Sequence, residues 1–157
     1  MEPRELALEI ARIIDEKKGH DIVVLDLTGL SDITEYFVIA TGDSNRMVDA
    51  IVDEIENQLR VKDVKAFSIE GRVDNTWDLM DFGPVIVHVF QPEARDFYRL
   101  ERLWGDAPRI EYADGVASDA GPLASDRRQH EDLEALDAAT VAAEELIKER
   151  LQRGETR

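Results

Sequence analysis

Cysteine is absent from the chain, which excludes disulfides, thiolate metal sites and a cysteine nucleophile and fits a reducing compartment. No apolar run approaches the ~20 residues that a membrane-spanning helix needs, and residues 1–20 lack the basic-then-apolar order of a secretion signal. The expectation is a soluble, cytoplasmic protein with no membrane partner. Basic residues are scarce as well: nineteen Lys and Arg stand against thirty-five Asp and Glu, for a net charge of -16. That field disfavours direct, sequence-specific binding of nucleic acid. It suits a basic protein partner, whose encounter is steered by charge complementarity, and it equally serves solubility alone. Aromatic side chains make up only 6% of the chain, yet both tryptophans and most of the large aromatics fall between Trp77 and Trp104. Function is sought first in that segment.

The 157 residues are enough for one ordinary domain of roughly 100 to 150 residues plus an appendage. Leu6, Ala7, Ile10, Ile13 and Ile14 share one face of a helix that Pro3 can open and Gly19 can end. Ile22–Leu27 and Tyr36–Thr41 are short β-branched runs that predict strands, separated by turn-forming residues. After Gly42, Asp43 or Ser44 can cap a helix over about 44–60 that turns Val48, Ile51, Val52, Ile55 and Leu59 inward. Val64–Ile69 predicts a third strand, and Thr76–Asp81 and Val85–Phe90 a hairpin with Pro84 at its mouth. Pro92 opens a third helix whose buried stripe is Phe97, Leu100 and Trp104. The fold class is thus α/β (α+β), a mixed sheet of about five strands with helices and a C-terminal helical extension. The domain is expected over 1–110 and a small-residue linker over 111–128. An acidic amphipathic C-terminal segment is expected over 129–157, helical at 129–152 on the spacing of Leu133, Leu136, Thr140, Ala143 and Ile147.

Pairing Met80 with Val85 would set Trp77 opposite His88 and Leu79 opposite Ile86, while Val85, Val87 and Val89 face the other way. The valine face reads as core beneath the first three helices. The second face then presents Trp77, His88 and Phe90, an aromatic surface that needs a cover. A partner protein or a second copy of the chain would supply one; the tail helix of the same chain is the alternative. His88 stands alone in its strand and reads as a packing residue, since no second histidine or carboxylate lies at metal-ligand spacing.

Catalytic motifs find little support. Asp81, Phe82 and Gly83 imitate the metal-binding tripeptide of kinases, but a catalytic-loop His-Arg-Asp and a glycine-rich phosphate loop are both missing. Thr41–Ser44 could offer helix-start amides to a phosphate. Nucleotidyl transfer would also need paired carboxylates for two metal ions, and no Asp-X-Asp strand follows. No metal or cofactor is expected.

On particular residues, however, the chain resembles the ribosomal silencing factor family, also called Iojap-like, over about residues 3–109. The carriers are Glu35–Ile39, Gly42, Ser44, Glu70, Gly71, Trp77, Asp81, Gly83 and Val87–Phe90, followed by Arg95, Phe97, Tyr98, Leu100, Glu101, Leu103 and Trp104. Phe82 and Pro84 depart from a tyrosine and an aspartate common in the family. The resemblance implies a nucleotidyltransferase-like topology without that catalysis. It also implies binding to the large ribosomal subunit through its ribosomal protein fourteen, a steric block of subunit joining that represses translation, and a homodimer off the ribosome. Carried onto matching positions, the expected contact residues are Trp77, Asp81, His88, Phe90, Arg95 and Tyr98, with Glu70 at the rim. A nucleotidyltransferase-like nucleotide-binding enzyme and a homo-oligomeric scaffold paired through the tail helix are the alternatives.

Overall fold

A computed structural model describes residues 1–123 and 138–155. Its elements run α1 (Pro3–Glu16), β1 (His20–Asp26), β2 (Tyr36–Thr41), α2 (Asn45–Val61), β3 (Ser68–Glu70), β4 (Trp77–Asp81) and β5 (Val85–Phe90). They continue as α3 (Pro92–Tyr98), α4 (Leu100–Leu103), β6 (Arg109–Ala113), β7 (Val116–Asp119) and α5 (Ala138–Glu155). The sheet has seven strands in the order β3-β4-β5-β2-β1-β6-β7, two more than the sequence pattern predicts. Only the central β2–β5 pair is parallel; every other neighbour is antiparallel.

Side-chain alternation along the strands divides the interior in two. Val24, Val38, Ala40, Met80, Val85, Val87 and Val89 point to one face, where the apolar stripes of α1 and α2 cover them. α2 starts cleanly because the Ser44 hydroxyl accepts a hydrogen bond from the Met47 N–H at 3.1 Å, satisfying one of the helix's orphan donors. Ser44→Ala should therefore lower the stability by about 1 kcal/mol, read as a shifted urea midpoint; an unchanged midpoint would show that water replaces the cap without cost.

Leu25, Phe37, Ile39, Trp77, Leu79, Ile86 and Phe90 point to the opposite face, onto Ala94 of α3, Leu100 of α4, Ala107, and Ala143 and Ile147 of α5. The third helix thus covers the aromatic face and not the valine face expected for it. It is also broken: Arg99 adopts a left-handed φ of 49°, which ends α3 and starts the short turn of α4. Phe97 falls outside the buried stripe and is 58% exposed.

The hairpin register differs from the expected one by two residues. Trp77 pairs with Phe90, Leu79 with His88 and Asp81 with Ile86. Phe82 N–H donates to the Val85 carbonyl at 2.9 Å, which leaves Gly83 and Pro84 as a two-residue turn, and Gly83 takes the φ of +87° that glycine permits at the first position of such a turn. A two-residue slip returns every side chain to the face it had, so the division into two faces stands. Glycine is forced more severely at Gly71, where a Cβ would lie 2.0 Å from the Trp77 carbonyl oxygen.

The linker expected over 111–128 begins instead as sheet, and the domain boundary expected at 110 falls inside β6. Ile110 pairs with Val24 on one side and with Asp119 on the other. Asp114 and Gly115, with φ of 51° and 78°, make the two-residue turn, a pair of positive φ values for which Asp-Gly is a favoured sequence. Residues 124–137, which include the rest of the expected linker and the first part of the expected tail helix, lie outside the described residues. From Ala138 the helix is present, and it packs on α3, α4, β3 and β4.

Candidate functional site

Trp77 ends the loop entering β4, His88 and Phe90 alternate along β5, and Tyr98 closes α3, so four of the expected site residues converge beside the sheet. The Trp77 indole stacks on Phe90 with ring centroids 5.0 Å apart and meets Tyr98 at 4.7 Å. Such ring pairs add to the area they bury. Phe37 of β2 joins them, edge-on to His88 at 4.5 Å and to Trp104 at 4.8 Å.

The Trp77 Nε1–H donates to His88 Nδ1 at 3.1 Å. An indole nitrogen is only a donor, so Nδ1 is the acceptor and the neutral ring carries its proton on Nε2. Nε2 has no hydrogen-bond partner among the described residues. Burial, followed by the charges of Arg150 and Arg95, pushes the His88 pKa down to about 3. The ring is therefore a neutral packing and hydrogen-bonding group at physiological pH, and it is unsuited to proton transfer there.

Arg95 is a structural clamp. Its guanidinium donates to Glu101 at 2.6 Å and to the Thr41 hydroxyl at 2.9 Å, tying α3 and α4 to the end of β2. Asp81 sits at the other end of β4, roughly 13 Å along the strand from Trp77, and its Oδ1 accepts the Gly83 N–H at 2.7 Å. It thus shapes the hairpin turn and is not part of the aromatic group. Glu70 lies half-buried on β3, opposite Leu79.

The aromatic face carries a cover, and it is the tail helix, the alternative to a partner protein or a second copy of the chain. Trp77 is 2% exposed, Phe90 1% and His88 fully buried, because α3 and α4 pack on this face together with α5. Arg150 of that helix donates to the Trp77 carbonyl at 2.8 Å and sets its guanidinium 4.5 Å from the indole centroid, within cation–π range. Arg150 is the residue that reading overlooks, although it continues the face of Ala143 and Ile147 at helical spacing.

A concavity of about 760 Å³ opens between α3, α4 and the β1–β6 strand pair. Arg95, Arg99, Arg102 and Arg109 line it together with Asp21, Asp96, Glu101 and Glu111; the two signs balance, and Arg109 is spent on the carbonyls of Gly121 and Ala120. Among the described residues no group of three or more His, Asp or Glu could hold a metal ion. No described helix is long and apolar enough to cross a membrane.

Known proteins are similar to this chain in sequence and fold. A ribosomal silencing factor of Bacillus subtilis is 42% identical over 98 residues, 62% of this chain and 83% of its own. One from Halalkalibacterium halodurans is 37% identical over 118 residues, 75% of this chain and 100% of its own. The chloroplastic protein Iojap of Zea mays is 40% identical over 67% of this chain and 46% of its own. A crystal structure of a Chromobacterium violaceum protein, 37% identical, superposes with a TM-score of 0.65 over 67% of this chain and 88% of that one. The family described as "Ribosomal silencing factor during starvation" matches residues 1–144, a span holding every side chain of the aromatic group but ending before Ile147 and Arg150. On that match, and on the fold shared over two thirds of its length, the chain belongs to the ribosomal silencing factor family, whose role is regulation of translation.

Proposed function

We propose that this protein binds the large ribosomal subunit through ribosomal protein fourteen and blocks joining of the small subunit by occupying the joining face. The family match over residues 1–144 carries the reading. The charge of -16 supports a basic protein surface as the immediate partner, since complementary charge speeds encounter and rejects wrong partners. The contact residues are Trp77 as anchor with His88, Phe90 and Tyr98 behind it, Arg95 beside them, Asp81 at the far end of β4, and Glu70 at the rim. The protein acts by occupancy and not by catalysis, works in the cytoplasm, and pairs as a homodimer when off the ribosome.

Sucrose-gradient fractionation of purified large and small subunits with the protein tests this directly. The protein should migrate with the large subunit alone, and the particle formed by the joined subunits should decline as it is added. Migration with the small subunit, or undiminished joining at saturating protein, would overturn the reading.

A further inference from the structure

We propose that α5 occupies the docking face in cis, as a stand-in for a basic segment of the partner, and must leave before the partner can dock. The inference rests on the functional reading above and adds its regulation. Three observations carry it. The helix anchors along one face: among its described side chains Ala143 and Ile147 are fully buried and Leu146 and Leu151 are half-buried against the aromatic group, while Lys148, Glu149 and Arg153 stand exposed on its outer side. Ordering eighteen residues costs conformational entropy that opposes what this seam contributes, which brings release of the cover within reach of a competing partner.

The second observation is chemical. Arg150 is buried enough for desolvation, followed by the charge of Arg153, to lower its pKa against the pull of Glu70. It binds by a donor to the Trp77 carbonyl and a cation over the indole, two contacts that an arginine or lysine from a basic protein reproduces. The site therefore reads a basic side chain flanked by small aliphatic ones, and α5 supplies one from within.

The third is where the family match stops. It ends at residue 144, so Ile147 and Arg150 belong to this chain's own extension, while Trp77, His88 and Phe90 lie within the shared domain. The aromatic group of the matched domain is met here, besides Ala143 within the match, by two side chains that lie beyond it, Ile147 and Arg150.

The test uses the full chain as wild type, Arg150→Ala and Ile147→Asp, with Arg150→Lys as the conservative control. Acrylamide quenching of the two tryptophans, both in the covered group, reports release; binding to purified large subunits reports access. Arg150→Ala and Ile147→Asp should raise quenching and tighten binding by tenfold or more, and Arg150→Lys should stay near wild type. Raised quenching with equal or weaker binding would overturn the cover while leaving the functional reading intact. Unchanged quenching in both variants would also overturn it, because the helix would not be held by these anchors. If quenching rises but no form binds large subunits, the functional reading itself fails.

Discussion

Trp77→Ala is expected to lower the unfolding free energy by about 3–5 kcal/mol, the range for removing a large buried aromatic. The indole is 2% exposed, stacks on Phe90 and Tyr98 and lies under the Arg150 guanidinium, so truncation leaves a cavity bounded by the sheet on one side and α5 on the other. It also strands His88 Nδ1, whose donor among the described residues is the indole N–H, and a buried acceptor left unmade costs about 1–3 kcal/mol by itself. Trp77→Phe separates the two effects: it keeps a ring in the stack, loses the donor, and should cost about 1–3 kcal/mol. Urea unfolding of both variants checks the pair. A loss below about 1 kcal/mol for Trp77→Ala would mean that the indole is not packed as described. At a temperature where both variants are fully folded, Trp77→Ala should further weaken large-subunit binding by about 2 kcal/mol or more, as removal of an aromatic anchor does; unchanged co-sedimentation would exclude Trp77 from the interface.

How much of this was legible in the chain depends on the range of the interaction involved. α1, β2, α2 and β5 follow from local periodicity, because the apolar stripe of Leu6–Ile14 and the run Val85–Phe90 each state their own repeat. The assignment of Val85, Val87 and Val89 to one face and His88 and Phe90 to the other is also local, which is why it survives a register displaced by two residues. Strands β6 and β7 left a weaker trace: β7 is exposed at all four positions and shows no apolar alternation, so its one signal is the Asp114–Gly115 turn. Which sheet face a helix covers is not local at all. A stripe such as Ala143–Ile147 tells which side of a helix is apolar, and tertiary packing alone decides what meets it. For that reason Trp77, His88, Phe90 and Tyr98 were recognisable as a group from sequence, whereas Arg150 was not recognisable as their lid.

Two buried ionisable groups on the hairpin should make stability respond to pH in opposite senses. His88, neutral in the fold with a pKa of about 3, binds a proton more readily when unfolded, near its ordinary value of 6.5. Between those values the unfolded chain holds more protons, so His88 lowers the stability as pH falls from 6.5. Asp78 is one residue along from Trp77 but on the valine face, and it is fully buried. Burial pushes its pKa up from 3.8 to about 7, with Arg72 pulling it down and Asp49 pushing it up. Here the folded chain holds the extra proton between those values, so Asp78 raises the stability as pH falls from 7. Each proton contributes about 1 kcal/mol per pH unit, and across roughly pH 4 to 6.5 the two slopes largely cancel in the wild type. Removing one partner exposes the other. Asp78→Asn should lose about 2–3 kcal/mol relative to wild type on acidification across that window, and His88→Gln should gain a similar amount over the same range. Urea midpoints collected every half unit of pH check both. A difference curve parallel to the pH axis for Asp78→Asn would show that burial does not hold Asp78 protonated in the fold, and a flat one for His88→Gln would show that the indole hydrogen bond to Nδ1 does not hold the neutral His88 ring.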